Sequence, residues 1–124
     1  MMNRQRDSVI YYLLRRELSM RSVVAKENTS FRIGRKNIKL DFYIPKESTG
    51  IIVIDWKRNV HTNKLLQLED IINAIKLKRL VLICNGLSGN AKDFLKQRNI
   101  PIDVLYLSEI IKNQNSLNNI FSGS

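Results

Sequence analysis

Residues 51–57, Ile-Ile-Val-Ile-Asp-Trp-Lys, constrain this chain more than any other stretch. A run of four β-branched aliphatics behind Gly50 reads as a strand buried on both faces, in the middle of a sheet. Such a strand normally ends in turn residues, whereas this one runs into an acid, an indole and an amine. Successive side chains on a strand alternate between faces, so Asp55 and Lys57 are expected on one face and Trp56, buried, on the other.

Just upstream, residues 38–44 alternate as Ile38, Leu40, Phe42 and Ile44 on one face and Lys39, Asp41 and Tyr43 on the other. Residues 45–50, Pro-Lys-Glu-Ser-Thr-Gly, supply a hairpin connection. Folding that hairpin symmetrically about Ser48 sets Phe42 opposite Ile54, Leu40 opposite Trp56, Asp41 opposite Asp55 and Lys39 opposite Lys57. Apolar then meets apolar and polar meets polar, and a one-residue slip spoils both faces. Directly opposed residues have Cβ atoms roughly 4.5–5.5 Å apart. Two carboxylates that close repel unless they share a proton or a cation, and a hard divalent ion such as Mg²⁺ or Mn²⁺ is the expected guest.

Asp41, followed 14 positions later by Asp55-Trp56-Lys57, resembles the D…(D/E)xK signature of the PD-(D/E)XK, or restriction-endonuclease-like, nuclease superfamily. Leu40 stands where the name-giving Pro would, and the second acid is Asp rather than the commoner Glu. The resemblance implies a metal-dependent nuclease acting on DNA, with Asp41 and Asp55 holding Mg²⁺ or Mn²⁺ and Lys57 orienting the attacking water or stabilising charge on the phosphate. It also implies an extra acid from the first helix. Asp7 and Glu17 are the candidates, and Asp7 is nearer the position used by archaeal Holliday-junction resolvases. A functional Gln on the helix after the D/ExK strand would be Gln67. Asp7 reads equally as a helix-start acid complementing the dipole, and Gln67 as a solvated residue on a helix flank.

The chain has 124 residues, enough for one domain with its own core. Lys and Arg number 21 against 11 acids, a net charge of +10 that suits a polyanionic partner, here DNA. The excess is concentrated, with ten basic and three acidic residues among residues 1–40. Arg32, Arg35, Lys36 and Lys39 lead into the Asp41 strand, and Arg58 follows Lys57. Basic residues beside an acidic centre fit a phosphate backbone held over it, although the same charges would also protect an edge strand from aggregation. A single Cys84 in an apolar run cannot form an internal disulfide and suits a reducing cytoplasm. No apolar stretch is long enough to span a bilayer, and no signal-peptide core begins the chain. His61 has no second His or Cys to complete a zinc set.

The remaining elements follow from periodicity. A first helix is expected over residues 4–18, with Ile10, Leu13, Leu14 and Leu18 inward. A strand pair is expected at Arg21–Ala25 and Phe31–Ile33. A second helix should run from a Thr62 or Asn63 cap to about Leu77, burying Leu65, Leu68, Ile72 and Ile75. Then come a buried strand Leu80–Cys84, a helix Ala91–Arg98 capped at Asn90, a strand Ile102–Leu107 and a short helix behind Ser108. Strand–helix–strand spacing of this kind implies right-handed parallel crossovers. The expected fold is α/β, a single restriction-endonuclease-like core over residues 1–112. A central mixed β-sheet is flanked by helices in the order αβββαβαβ, and residues 113–124 form a polar, disordered tail. The carboxy-terminal half looks more like the Mrr-type branch, whereas length and charge suit a small resolvase. A two-fold homodimer would let such a nuclease cut both strands. Two other readings of the residues stay open: a non-catalytic nucleic-acid-binding protein on the same fold, and an α/β interaction module in which Asp55 and Lys57 are an exposed strand end.

Overall fold

Two strands that are apolar after their first residue, β3 (Thr49–Ile54) and β4 (Arg79–Cys84), lie side by side and parallel at the centre of a five-stranded mixed sheet. The computed structural model describes residues 4–54 and 56–113, with side chains from residue 9 onward. Asp55, the side chain of Asp7 and the tail from residue 114 lie outside the described residues. β3 is joined on its other side by β2 (Lys36–Ile44), antiparallel, and β2 by β1 (Lys26–Ile33), also antiparallel. β5 (Ile102–Tyr106) closes the other edge parallel to β4, so the spatial order is β1-β2-β3-β4-β5.

Helices cover both faces. α1 (Arg4–Met20) and α4 (Leu107–Lys112) pack Ile10, Leu13, Leu14, Leu18 and Ile110 against Phe42, Ile44, Ile51, Val81 and Ile83. On the opposite face α2 (Thr62–Ile75) and α3 (Gly89–Gln97) pack Leu65, Leu68, Ile71 and Ala91 against Ile52, Ile54, Leu80, Leu82 and Cys84. Alternate residues of β3 and β4 therefore feed two separate cores, which is why residues 51–54 and 80–84 are all apolar. α2 and α3 provide the two parallel crossovers.

The helix ends explain three departures from the expected boundaries. Residues 21–25 form no strand. Ser22 takes a left-handed conformation (φ 57°), and the amides of Ser22 and Val23 return to the carbonyls of Ser19 and Leu18. This is a Schellman closure with Ser in the place usually taken by Gly, and Val23 packs back on the α1 core. α2 starts behind His61, which caps it through the backbone only, rather than behind a Thr62 or Asn63 side chain. α3 is capped by Ser88, whose Oγ accepts from the Ala91 amide at 3.1 Å, so it begins earlier than Asn90 would allow.

The hairpin between β2 and β3 differs from the symmetric fold about Ser48. Its pairs are Ile44 with Thr49, Tyr43 with Gly50 and Phe42 with Ile51, a three-residue shift of register. Pro45–Glu47 form one 3-10 turn and Ser48 (φ 51°) sits in the left-handed region, so the turn is complete by Thr49. Gly50 is a buried strand residue rather than a turn residue. A Cβ there would lie 3.0 Å from Leu40 Cδ1 and 3.2 Å from Leu77 Cδ1.

The expected single-faced alternation of β2 is also broken. Ile38 and Leu40 belong to the α2 side, whereas Phe42 and Ile44 belong to the α1 side. The break falls at Asp41. The β1–β2 ladder pairs Thr29 with Leu40 and Glu27 with Phe42 but skips Asn28 and Asp41, and Asn28 is itself left-handed (φ 49°). The reversal on β2 thus coincides with the gap in the ladder beside the left-handed Asn28, and the register on either side of that gap is the same.

Candidate active site

Parallel strands of an open α/β sheet present their carboxyl ends as the usual place for a ligand. Here β3 leads to Trp56, Lys57 and Arg58, and β4 delivers Asn85 and Gly86 to that end, while β2, running the other way, brings in Lys39 and Asp41. Two loops are tied together there. Val60 donates to the Gly86 carbonyl at 2.8 Å, Ser88 donates to the Val60 carbonyl at 3.0 Å, and Asn85 Nδ2 donates to the Trp56 carbonyl. At Gly86 the Asn59 side chain comes close, and a Cβ there would meet Asn59 Oδ1 at 2.6 Å, so that exposed amide would have to swing aside.

Asp41 is the centre of the described geometry. The β2–β3 ladder stops at Phe42 and Ile51, and beyond it Asp41 Oδ2 accepts the Val53 amide at 2.6 Å. The carboxylate thus stands in for a ladder carbonyl exactly where the strands part. Its other oxygen accepts the Tyr11 hydroxyl, so one half-buried side chain joins β2, β3 and α1. Tyr11 is held by Phe42, ring centroids 5.4 Å apart, and by Arg15, 5.8 Å from its ring. Arg15 in turn forks onto Glu27 of β1 through two 2.8 Å bonds, and that pairing raises its already high pKa.

The other expected site residues fall into distinct groups. Lys57 and Arg58 are exposed on the loop after β3. Trp56 is not buried opposite Leu40. β3 ends at Ile54, and the indole is 38% exposed, with Arg58 4.7 Å and Lys64 5.9 Å from its ring centre. Arg35, Lys36, Lys39 and Gln67 border one cleft of about 950 Å³ between the β1–β2 hairpin and α2. Lys64 lines it too. Arg32 does not join them, because Phe31 and Ile33 on either side of it pack toward the cleft side of the sheet. Glu17 is paired with Arg21 at 3.2 Å, near the far end of α1 from Asp7. Asp7 lies in the α1 backbone one turn before Tyr11. His61 is exposed and serves only as the backbone cap of α2.

Two residues of this region were not singled out from sequence. Tyr11 lies three before Leu14 and seven before Leu18, on the stripe that faces the sheet, so helical spacing contained the signal. Lys64 precedes Gln67 by three residues on the same face of α2.

Asp41 fits one half of a hard-cation site. Tyr11 and Val53 each take one lone pair of a different oxygen, which leaves a second on each, and ligating carboxylates are commonly fixed by such outer hydrogen bonds. Among the described residues no three His, Cys, Asp or Glu side chains converge. At the end of β4, burial pushes the Cys84 thiol up to about 11. Its ladder neighbour Tyr106 is also raised, chiefly by burial and then by Cys84 and Glu109.

Comparison with protein-family models, curated proteins and solved structures finds no match to this chain. Among the described residues no helix is long and apolar enough to cross a membrane.

Proposed function

We propose that this chain is a divalent-metal-dependent deoxyribonuclease of the PD-(D/E)XK type. The observation that carries the reading is the position of Asp41. Its carboxylate sits where β2 and β3 separate and is bonded to Val53, two residues before the Asp55-Trp56-Lys57 motif. The order helix, three strands, helix, strand, with β3 and β4 parallel, supports the same restriction-endonuclease-like core. The basic cleft beside it supports a polyanionic substrate.

In this reading Asp41 and Asp55 would hold Mg²⁺ or Mn²⁺. Bound there, the cation would supply Lewis-acid polarisation of the scissile phosphate and acidify a water. Tyr11 and the Val53 amide fix the rotamer of Asp41, so the ligand needs no reorganisation. Lys57, exposed at the end of β3, would orient the attacking water or balance charge on the pentavalent phosphate. Arg35, Lys36 and Lys64 would hold the strand against the cleft by phosphate contacts.

A second reading is favoured by one observation: both Asp41 oxygens already have protein donors. The carboxylate would then be a structural clasp, and the chain a non-catalytic DNA-binding protein on the same fold. Incubation with plasmid, a four-way junction and single strands, each with Mg²⁺, Mn²⁺ or EDTA, separates the two. Metal-dependent cleavage that falls on the order of a hundredfold or more in Lys57→Ala, with DNA affinity reduced by no more than about 1 kcal/mol, is the expected result. Metal-independent cleavage, or Lys57→Ala cutting at the wild-type rate, would sink the nuclease assignment.

A further inference from the structure

The chain's one tryptophan is 38% exposed, and Lys64 beside its ring lines the cleft between the β1–β2 hairpin and α2. Large exposed aromatics on a loop are costly to leave in water, and this one is bracketed by cations instead of being tucked into either core. Lys64 connects the two features, since it lines the cleft and also lies 5.9 Å from the Trp56 ring centre. The cleft itself has an unusual make-up. Ile38 and Leu68 are among its apolar lining, while Arg35, Lys36, Lys39 and Lys64 stand around it against a single acid, Asp70. Among the described residues none of these four cations forms an ion pair. A volume of about 950 Å³ is at the upper end of the roughly 300–1,000 Å³ of small-molecule sites.

Cations alone would suit the outside of any nucleic acid. An exposed indole and an apolar lining find partners only where bases are unstacked, because a duplex keeps its base faces inside. A stacking platform next to a positively charged, partly apolar groove is the general make-up of a single-strand site. We infer that Trp56 and this cleft together bind an unpaired DNA strand, with a base stacked on Trp56 and the phosphates led past Lys64 toward Arg35 and Lys36. The inference rests on the DNA reading of the preceding subsection but not on cleavage, and it gives that site a substrate class: DNA with a single-stranded end, flap or gap.

The test uses the full chain in EDTA, where no metal-dependent cutting occurs. Because Trp56 is the chain's one tryptophan, its emission reports this site and no other. Titration with a short oligothymidylate should quench that emission, with an affinity at least about tenfold above that for a blunt duplex of equal length. Labelled-strand anisotropy should show Trp56→Ala weakened about tenfold and Trp56→Phe largely restored, as stacking requires. Replacing Arg35, Lys36 and Lys64 by Gln should flatten the log–log salt slope by roughly 0.7 for each lost phosphate contact. Equal binding of duplex, an unquenched indole at saturation, or a Trp56→Ala variant that binds normally would each overturn the proposal. Tighter binding of oligouridylate than of oligothymidylate would overturn its assignment to DNA. Should Trp56→Ala fail to fold, the quenching titration of the wild-type protein decides. Strand binding through Trp56 without any cleavage would remove the nuclease reading and leave this one standing, and cleavage without it would do the reverse.

Discussion

Replacing Asp41 by alanine removes a carboxylate that ties three elements together, and the loss can be sized from its two bonds. One comes from the Tyr11 hydroxyl of α1 and the other from the Val53 amide of β3, 2.6 Å away. Hydrogen bonds to an ionised group contribute about 1.5–3 kcal/mol each, and partial exposure of Asp41 places both toward the lower figure. The substitution also strands the Val53 amide at the seam where the ladder has stopped. Asp41→Ala should therefore destabilise by about 3 kcal/mol, on the order of 10 °C in Tm for a chain of this size. Asp41→Asn should behave differently. Its carbonyl can still accept from Val53, and its amide nitrogen can donate to a rotated Tyr11 hydroxyl, so both bonds survive without charge and the cost drops to about 1 kcal/mol. Urea unfolding in EDTA, read by far-UV circular dichroism, gives both values, and Tyr11→Phe closes a double-mutant cycle. An Asp41→Ala midpoint equivalent to less than about 0.5 kcal/mol would refute the clasp. The same variants divide structure from chemistry, because Asp41→Asn should remain folded yet lose metal-dependent cleavage if Asp41 holds the cation.

Three further outcomes follow from the packing and charge. Gly50→Ala should cost about 1–3 kcal/mol, because the new methyl meets Leu40 and Leu77, and Leu77→Val in the same chain should recover part of it in thermal melts. Cys84 has its folded pKa raised from 9.0 to about 11, so its neutral form favours the native state. That contribution is intact below pH 9 and is lost as pH rises through 11, a fall on the order of 2 kcal/mol that Cys84→Ala should flatten in unfolding curves. Arg32→Gln should leave the salt dependence of DNA affinity unchanged, whereas Arg35→Gln with Lys36→Gln should flatten its slope by nearly two units on duplex, and equal effects would refute the placement of Arg32 away from the cleft.

Much of this molecule was written in local pattern. The two doubly buried strands are legible because a β-branched aliphatic run has nowhere to go but between two layers. The helices follow from the 3.6-residue recurrence of Leu and Ile, and the parallel crossovers from the intervening helix lengths. The basic surface beside β2 follows from charge counts, and Lys57 of the acid–x–lysine run follows β3.

What the sequence could not decide was register and facing. Gly50 reads as a turn residue because glycine is permissive, yet it is a buried strand residue against which Leu40 and Leu77 pack tightly, a fact about chain segments distant in sequence. That placement, with the 3-10 turn at Pro45, moves the β2–β3 register by three residues. Period-two alternation puts Leu40 and Phe42 on one face, but the pleat of β2 reverses at Asp41, where the ladder to β1 is interrupted beside the left-handed Asn28, and the two are divided between two cores. Trp56 reads as core from strand alternation opposite Leu40, and only the end of β3 at Ile54 releases it to Arg58 and Lys64. Local propensity acts through a residue and its near neighbours. Register, pleat reversal and exposure are set by which atoms from elsewhere in the chain already occupy the space, and that is known only once the whole chain is folded.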